Sequence, residues 1–325
     1  MKRKNIVVTG GTGFIGSNLV KYLNEKSYHN ITIVDHLRED NKWKNMRQLS
    51  FSDYFDRQDF LELLRDDKFP GPDIIVHLGA CSATTERDEN YLLHNNTKFS
   101  KSIFDYCLRN NCQMIYASSA ATYGDGSDGY SDKSLDLNPL NCYGYSKHLF
   151  DGWVRQSEQK PKQYVGLKFF NVYGPNEYFK NNMASLVFKA FFQIQETGKL
   201  KLFRSHREDY KDGMQLRDFV YVKDITRWIC ELMDDAPAHS GIYNMGFGQA
   251  RTWLDLAKPV FEALGKPMEI EWVDIPENIR NQYQYFTEAK MGKLFSEGLS
   301  QPEWSLEKGV NDYVTSYLMK GPKIL

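Results

Sequence analysis

The sequence contains no apolar run that could cross a membrane, which takes about 18 or more consecutive apolar residues. The run at 6–8, near the start, is also too short for the core of a signal peptide. The chain has five cysteines, and they form no CxxC pair and no metal-ligand spacing: Cys81, Cys107, Cys112, Cys142 and Cys230. Because an odd, scattered set of cysteines is typical of reduced thiols, the sequence predicts a cytoplasmic protein without a metal site.

The sequence also lacks an excess of either charge. Lysine and arginine total 41 and aspartate and glutamate total 42, for a formal net charge of -1. Nothing in the overall charge therefore points to nucleic acid or to an anionic membrane as a partner. With 41% hydrophobic and 26% charged residues, the composition is that of a globular protein. A chain of 325 residues is long enough for one main domain and a smaller one.

Short apolar runs alternate with helical stretches over about the first 165 residues. The predicted strands are Asn5–Thr9, Ile31–Asp35, Ile74–Leu78, Gln113–Ser118 and Tyr164–Phe170, and the predicted helices between them include Ile15–Glu25, Asn90–Asn110 and Tyr143–Glu158. This order predicts an α/β fold with a Rossmann-type, doubly wound parallel sheet in residues 1–175. The pattern then breaks, with predicted helices at Met183–Glu196 and Lys223–Asp235. We expect 176–325 to form a smaller α/β substrate-binding region, partly interleaved with the first.

A glycine-rich loop follows the first predicted strand and opens a helix. It contains G-x-G-x-x-G at Gly11, Gly13 and Gly16, and a GxxGxxG spacing that begins at Gly10. Glycines allow the tight turn and the close approach of a pyrophosphate, which the amides at the start of the helix then bind. Because a second strand ends in an acidic residue, Asp35, about 20 positions on, the motif predicts dinucleotide binding.

The type of dinucleotide stays open at this stage. Asp35 would bind a ribose hydroxyl, which favours NAD. The nearby cations Arg38, Lys42 and Arg57 could accommodate a 2′-phosphate, which favours NADP, or could form a solvated charged face.

The stretch 141–147, NCYGYSK, contains two tyrosines and one lysine. On a helix, residues four apart share a face and residues two apart do not, so Tyr143 is the partner of Lys147 and Tyr145 lies on another surface. The ammonium group, with a cationic nicotinamide ring, should lower the pKa of the Tyr143 phenol. The phenolate could then take a proton from an alcohol while hydride leaves the same carbon. Ser119, at the end of a predicted strand, could orient that alcohol.

These residues, together with 171–175 (NVYGP) and 217–222 (RDFVYV), resemble the extended short-chain dehydrogenase/reductase superfamily. Its members modify nucleotide-activated sugars with bound NAD or NADP. Within it, the segments 79–88, 116–125, 141–151, 169–185 and 215–224 are most similar to epimerases that act on an ADP-linked heptose. The resemblance implies an isomerase that inverts C6 of ADP-D-glycero- or ADP-L-glycero-D-manno-heptose, a precursor of lipopolysaccharide. It also implies tightly bound NADP and a homo-oligomer, often a pentamer.

The resemblance further implies roles for individual residues. Tyr143 would be one catalytic base, Lys147 its cofactor-binding partner, Ser119 a holder of the sugar hydroxyl and Lys180 a second base. The implied cofactor-binding residues are Gly10, Gly13, Phe14, Ile15, Gly16, Asp35, His36, Lys42, Arg57, Leu78, Gly79, Ala80, Cys81, Ser82, Asn95, Lys147 and Val172. The implied substrate-binding residues are Ser119, Asn171, Asn182, Lys189, Phe203, Arg217 and Tyr283. Asn182 and Lys189 depart from the Ser and His of the family pattern, and 203–216 is longer than its counterpart, which leaves the nucleotide and the sugar open.

Three other functions compete with this hypothesis. A sugar-nucleotide dehydratase would need an acid where the chain has Ala120 and Ala121. A UDP-hexose 4-epimerase would use Tyr143 and Lys147 but would leave Lys180 without a role. A non-catalytic dinucleotide-binding protein would need none of Tyr143, Lys147 and Lys180. Two metal-like patterns are weaker: His77 and Cys81 fit packing beside the cofactor, and 209–213 (DYKDG) lacks the alternating oxygens of a calcium loop.

Overall fold

The computed structural model describes residues 4–37, 39, 41–234, 239–280, 283–321 and 324. The strands are β1 Ile6–Thr9, β2 Ile31–Asp35, β3 Asp53–Asp56, β4 Ile74–His77, β5 Gln113–Ser119, β6 Gln163–Phe169, β7 Asn171–Tyr173, β8 Leu200–Phe203, β9 Leu216–Tyr221, β10 Gly241–Met245, β11 Ala250–Thr252 and β12 Ile270–Val273. The α-helices are α1 Phe14–Glu25, α2 Arg57–Arg65, α3 Glu89–Leu92, α4 Phe99–Arg109, α5 Cys142–Gln156, α6 Leu186–Thr197, α7 Val222–Asp234, α8 Trp253–Ala263, α9 Glu277–Arg280, α10 Gly292–Ser296 and α11 Leu306–Ser316. Arg38, one of the cations considered for a 2′-phosphate, lies outside the described residues, as does the predicted helix end at Asp235.

A parallel sheet forms the centre of the fold. Within the described ranges it has seven strands in the order β10-β6-β5-β4-β1-β2-β3, and every neighbouring pair is parallel. On β1, Ile6 and Val8 pack with residues of α1 and α7, whereas Val7 packs on the other face with residues of α2, α4 and α5. Because both faces of the sheet bury apolar helices, this is the doubly wound arrangement, and the predicted fold class is confirmed.

The chain beyond residue 175 contributes both to the main sheet and to a second group of smaller sheets and helices. Strand β10 extends the main sheet and α7 packs on α1. The other elements build smaller sheets: β9 lies between β11 and β7, which precedes residue 175, and β8 pairs with β12. A second hydrophobic core joins α6, α8 and α11 beside these sheets. The division of the chain at residue 175 stays a prediction.

The order of the strands fixes where a ligand can bind. From β1 the chain passes to β2 on one side, and β4 lies on the other side of β1. Open parallel sheets bind ligands at such a switch point, in the crevice outside the carboxyl ends of the strands. The carboxyl ends of β1 and β4 meet there, since Gly79 donates its amide proton to the Thr9 hydroxyl at 3.1 Å.

Within the described residues, no helix is long and apolar enough to span a membrane. The same residues contain no group of three or more histidine, cysteine or acidic side chains that could hold a metal ion. His77 instead hydrogen-bonds through its two ring nitrogens to Thr9, at 2.7 Å, and to Ser100, at 2.9 Å. Burial, followed by the charge of Lys147, lowers the pKa of His77 to about 3, so its ring stays neutral within the core.

Candidate active site

A cavity of about 900 Å³ opens at the carboxyl edge of the main sheet and extends between the sheet and the smaller C-terminal elements. A smaller pocket of about 210 Å³ adjoins it, and both are lined by Gly10, Asp35, Lys42, Gly79 and Ala80. The two adjoining cavities therefore form one elongated site, with one end over the glycine-rich loop.

The glycine-rich loop is packed too closely for larger residues. Gly10 has a φ of +70°, and a Cβ there would lie 2.7 Å from the amide nitrogen of Gly79. A Cβ at Gly16 would lie 2.1 Å from the carbonyl oxygen of Gly10. Gly13 precedes α1 without a side chain that caps the helix, so the first-turn amides remain available for an anion. This cradle fits the pyrophosphate of a dinucleotide.

Asp35 holds the glycine-rich loop from the end of β2. Its Oδ2 accepts a hydrogen bond from the amide of Thr12 at 3.0 Å and another from the Thr12 hydroxyl. Its Oδ1 pairs with Nζ of Lys42 at 2.8 Å. The carboxylate is thus tied to the loop and compensated by a cation, which reduces its repulsion of a phosphate in the adjoining pocket.

Arg57 supplies a second cation at that end of the site. It lines the smaller pocket with His36 and Asn95, and donates to the Asn95 side-chain oxygen. Its Nε is buried and has no hydrogen-bond partner among the described atoms. The guanidinium places a positive charge in the wall of the smaller pocket, which favours an anionic ligand group there.

The structure brings the predicted cofactor residues together. The larger cavity is lined by Gly10, Gly13, Phe14, Ile15, Gly16, Asp35, Lys42, Leu78, Gly79, Ala80, Ser82, Lys147 and Val172. The remaining four of the set line the smaller pocket: His36, Arg57, Cys81 and Asn95. Asn95 lies in a π-helical turn, Leu93–Lys98, and such turns are frequent at functional sites. Their individual roles stay predictions.

Helix α5 presents Tyr143 and Lys147 on one face. The helix begins at Cys142, where the Asn141 side chain caps it by accepting from the Gly144 amide at 2.8 Å. Lys147 is 5% exposed, and its Nζ donates to the Ala117 carbonyl at 2.9 Å. Tyr145 is 47% exposed and lies on another face of the helix, as expected.

Burial dominates the electrostatics of this pair. It lowers the pKa of Lys147 to about 8, although the charges of Asp151 and Cys81 act in the opposite direction. It also raises the pKa of Tyr143, against the hydrogen bond with Ser119, which lowers it. In the protein by itself, desolvation of the phenolate outweighs its neighbours. The lowering expected from the sequence also depends on a cationic nicotinamide ring, so it stays a prediction.

Ser119 ends β5 beside the tyrosine. Its hydroxyl accepts a hydrogen bond from the Ala121 amide at 3.1 Å, which caps the short 3₁₀ turn that follows the strand. Ser119 and Tyr143 line the larger cavity together. A hydroxyl placed between them would find a donor and an acceptor.

Lys180 reaches the same cavity from a different element. It follows β7 and precedes the 3₁₀ turn Asn181–Met183. Its Nζ lies 5.2 Å from the centre of the Phe14 ring. Burial lowers the pKa of Lys180, Glu177 raises it and Lys189 lowers it further. The structure therefore places a tyrosine and an amine of lowered pKa around one space.

Four predicted substrate residues besides Ser119 line the cavity: Asn171, Lys189, Phe203 and Tyr283. Two others are outside its lining. The Asn182 side chain is exposed, and its carbonyl accepts from Nζ of Lys189 at 2.7 Å. Arg217 is 6% exposed and stacks 5.5 Å from the Trp253 ring centre and 5.3 Å from that of Tyr283. Arg217 thus supports two rings of the cavity wall instead of facing the cavity.

Sequence reasoning missed several residues of the cavity wall, among them Gln193, Lys201 and Trp253. Gln193 is one helical turn after Lys189 on α6, so the i, i+4 spacing could have found it. Lys201 and Trp253 come from β8 and α8, and no local pattern connects either of them to the glycine-rich loop.

Comparison with known proteins decides the family. The model of the NAD dependent epimerase/dehydratase family matches residues 6–246. The chain belongs to this family. Membership implies a nicotinamide dinucleotide as cofactor and makes the protein an enzyme of the epimerase class, and the resemblance seen in the sequence is confirmed.

Relatives within the epimerase family are similar over nearly their whole length. The chain is 48% identical over 316 residues to ADP-L-glycero-D-manno-heptose-6-epimerase of Nitratidesulfovibrio vulgaris, covering 96% of this chain and 97% of the relative. It is 46% identical to the protein of the same name from Fusobacterium nucleatum, covering 97% and 98%. Among solved structures, it is similar to the Helicobacter pylori ADP-L-glycero-D-manno-heptose-6-epimerase, at 28% identity, a TM-score of 0.81 and 96% coverage of both chains.

Proposed function

We propose that this epimerase-family enzyme interconverts ADP-D-glycero-D-manno-heptose and ADP-L-glycero-D-manno-heptose by transient oxidation at C6. Two relatives named ADP-L-glycero-D-manno-heptose-6-epimerase are 48% and 46% identical to the chain. The observation that carries the proposal is that Tyr143 and Lys180 line one cavity from separate elements. A 4-epimerase or a dehydratase mechanism would give Lys180 no role. Dehydration also needs an acid after Ser119, where the chain has Ala120 and Ala121.

The chain's residues divide the proton chemistry of the reaction. A bound dinucleotide would supply the hydride acceptor for the sugar carbon and the hydride donor for the return step. Ser119 orients the C6 hydroxyl and Tyr143 takes its proton as the planar ketone forms. Lys147, as an ammonium one helical turn away, favours the tyrosinate. On the other face of the ketone, Lys180 would give a proton to the new alkoxide, since it lines the cavity from a different element than Tyr143.

Lys180 is suited to this second position. An ordinary lysine, with a pKa of about 10.4, is almost fully protonated at neutral pH and cannot accept a proton in the reverse direction. Burial lowers the pKa of Lys180, so a larger fraction of the amine is neutral. The same residue can therefore act as the acid in one direction and as the base in the other.

The cofactor in this proposal is NADP, with NAD as the alternative. Asp35 is already bound to Thr12 and Lys42, and so offers less to a free ribose hydroxyl. Lys42 and Arg57 line the smaller pocket, and these two cations favour a 2′-phosphate there.

The charges of the larger cavity support a diphosphate-linked substrate. Among the described residues that line it, Lys42, Lys147, Lys180, Lys189 and Lys201 are basic, and Asp35 is the one acid. Asp35 is paired with Lys42. Lys201 is paired with Glu271 at 3.5 Å, so Lys147, Lys180 and Lys189 supply the positive potential that favours an anionic ligand. We propose ADP as the carrier because the relatives act on ADP-heptose by name.

The family resemblance also supports a homo-oligomer, and specifically a pentamer. It further supports a role in the synthesis of lipopolysaccharide precursors. We propose a cytoplasmic location because the five cysteines are free thiols.

Conversion of purified nucleotide sugars tests the proposed function. The protein is incubated with each ADP-heptose epimer and, in parallel, with UDP-glucose, and the products are separated by chromatography. We expect each ADP-heptose epimer to yield the same mixture of both, without net reduction of the dinucleotide. Conversion of UDP-glucose alone would establish the 4-epimerase alternative. No conversion of any ADP-, GDP- or UDP-sugar offered, despite bound dinucleotide, would support the non-catalytic alternative.

A further inference from the structure

A buried ion pair lies beneath the candidate active site, outside the cavity lining. It joins Nζ of Lys168, on β6, to Oδ2 of Asp151, on α5, at 3.4 Å, and the two side chains are 0% and 1% exposed. Removing two charges from water is costly, and their attraction compensates for it only if further hydrogen bonds satisfy both groups. The hydrogen-bond partners of these two side chains therefore indicate the role of the ion pair.

Asp151 connects the helix of the catalytic tyrosine to the strand of the catalytic serine. It follows Lys147 by one turn and Tyr143 by two turns on α5. Its Oδ2 accepts from the Ser118 hydroxyl at 2.6 Å, and its Oδ1 accepts from the Tyr116 hydroxyl at 3.1 Å. Both donors lie on β5, so one carboxylate sets the position of α5 along β5.

Lys168 extends the connection past the end of β5. Its Nζ donates to the Thr122 hydroxyl and lies 4.5 Å from the centre of the Tyr123 ring. The Thr122 hydroxyl in turn donates to the carbonyl oxygen of Ser119 at 2.8 Å. A continuous series of contacts therefore runs from Asp151 through Lys168 and Thr122 to Ser119.

We propose that the Asp151–Lys168 pair, acting through Thr122, is a positioning device that holds Ser119 at its working distance from Tyr143. Asp151, Lys168 and Thr122 are positioning residues, since none of them lines the cavity. The inference rests on the proposed function, which gives Ser119 and Tyr143 the same sugar hydroxyl. An error of about 1 Å in such a geometry can cost on the order of 100-fold in rate.

A matched pair of substitutions at Thr122 isolates the connection. Thr122→Val keeps the shape of the side chain and leaves the ion pair in place, but removes the hydroxyl between Lys168 and Ser119. Thr122→Ser keeps the hydroxyl. We expect Thr122→Val to lower kcat for ADP-heptose by about 10- to 100-fold with little change in KM or in dinucleotide affinity, and Thr122→Ser to stay within about 3-fold of the wild type.

Substitution of the pair separates positioning from stability. Lys168→Met leaves the carboxylate of Asp151 buried without its cation, and we expect a marked loss of thermal stability. The double variant Asp151→Asn/Lys168→Met has no charge at either position, so we expect its Tm to recover most of that loss. Its kcat should stay low, because the thioether that replaces the ammonium of Lys168 cannot donate a hydrogen bond to Thr122. A purely structural pair would instead show kcat recovering with Tm.

The outcomes separate this inference from the proposed function. A folded Thr122→Val variant with wild-type kcat overturns the inference, as does a double variant that regains both Tm and kcat, while wild-type turnover of ADP-heptose leaves the proposed function intact. If the wild type converts UDP-glucose and not ADP-heptose, the proposed function fails. The same variants are then compared on UDP-glucose, where the positioning of Ser119 predicts the same order of rates.

Discussion

Nζ of Lys180 lies 5.2 Å from the centre of the Phe14 ring. Phe14 begins α1 directly after the glycine-rich loop, whereas Lys180 lies in the loop after β7. A cation within about 6 Å of an aromatic centre is attracted to it. The contact therefore ties the candidate second base to the segment that is predicted to bind the dinucleotide.

Lys180→Met should remove the second base and keep an unbranched side chain of similar length at this position. General acid–base catalysis contributes about 10²- to 10⁴-fold, so we expect epimerisation to slow by that factor while dinucleotide affinity is unchanged. The rates are measured by chromatography of the two epimers. Lys199→Met, at an exposed lysine on the surface, is the control. Turnover within a few-fold of the wild type would demote Lys180 to a supporting charge.

Tyr143→Phe should remove the proton acceptor of the oxidation step. We expect a loss of kcat of at least about 100-fold in both directions. The chain offers a matched control in Tyr145→Phe, because Tyr145 is 47% exposed and lies outside the cavity lining. Equal losses in the two variants would contradict the choice of Tyr143 that the helical spacing indicates.

The pH dependence of the rate should reflect Lys147. Burial lowers its pKa to about 8, so the ammonium is present below that pH and is lost as the pH rises through it. Since the ammonium favours the tyrosinate, we expect kcat/KM to fall above about pH 8. Lys147→Arg keeps a cation throughout this range, with a pKa of about 12.5 or more, and should move the falling limb to higher pH. An unchanged limb in the arginine variant would assign it to another group.

Arg57→Met should discriminate between the two dinucleotides. A hydrogen bond to a charged group contributes about 1.5–3 kcal/mol, so we expect the Kd for NADP to rise by on the order of 10- to 100-fold and the Kd for NAD to change little. Titrations of the apoprotein with each dinucleotide give both constants. Arg47→Met, at an exposed arginine, is the control. A parallel weakening of NAD and NADP would show that Arg57 contacts a part that the two share.

Gly16→Ala should damage the dinucleotide site, because its Cβ would lie 2.1 Å from the Gly10 carbonyl oxygen. We expect a loss of about 1–3 kcal/mol in the free energy of unfolding, together with weaker dinucleotide binding. Gly152→Ala is the matched helical control, since nothing lies within 4 Å of its Cβ position. Alanine is the better helix former by about 1 kcal/mol, so that variant should be as stable as the wild type or more stable. Chemical denaturation measures both.

The parts of the fold that sequence predicted best are those with a strong local pattern. Buried parallel strands are continuous apolar runs, so β1, β2, β4, β5 and β6 were placed within a residue or two of their observed bounds. The edge strand β3, Asp53–Asp56, was missed because its residues are DYFD and show no apolar run. The predicted helix from Met183 begins instead at Leu186, since the Ser185 side chain caps it by accepting from the Phe188 amide at 3.3 Å.

Within the candidate site, too, the features that the sequence predicted are those with a local pattern. The glycine-rich loop, Asp35 and the pair of Tyr143 and Lys147 are local patterns, in which turn geometry or helical spacing fixes what lies next to what. The raised pKa of Tyr143 could not be predicted, because it depends on how deeply the phenol is buried.

By itself, the sequence determined a doubly wound sheet, a glycine-rich loop that opens a helix, and the face of α5 that Tyr143 and Lys147 share, because backbone periodicity and glycine geometry act over a few residues. Only the tertiary structure decided that Lys180 stands over Phe14 in the cavity of Tyr143, that Arg217 supports the wall, and that Asp151 pairs with Lys168 beneath Ser119. Those relationships depend on how strands and helices distant in the chain pack together, and their desolvation and charge effects exist only after that packing has formed.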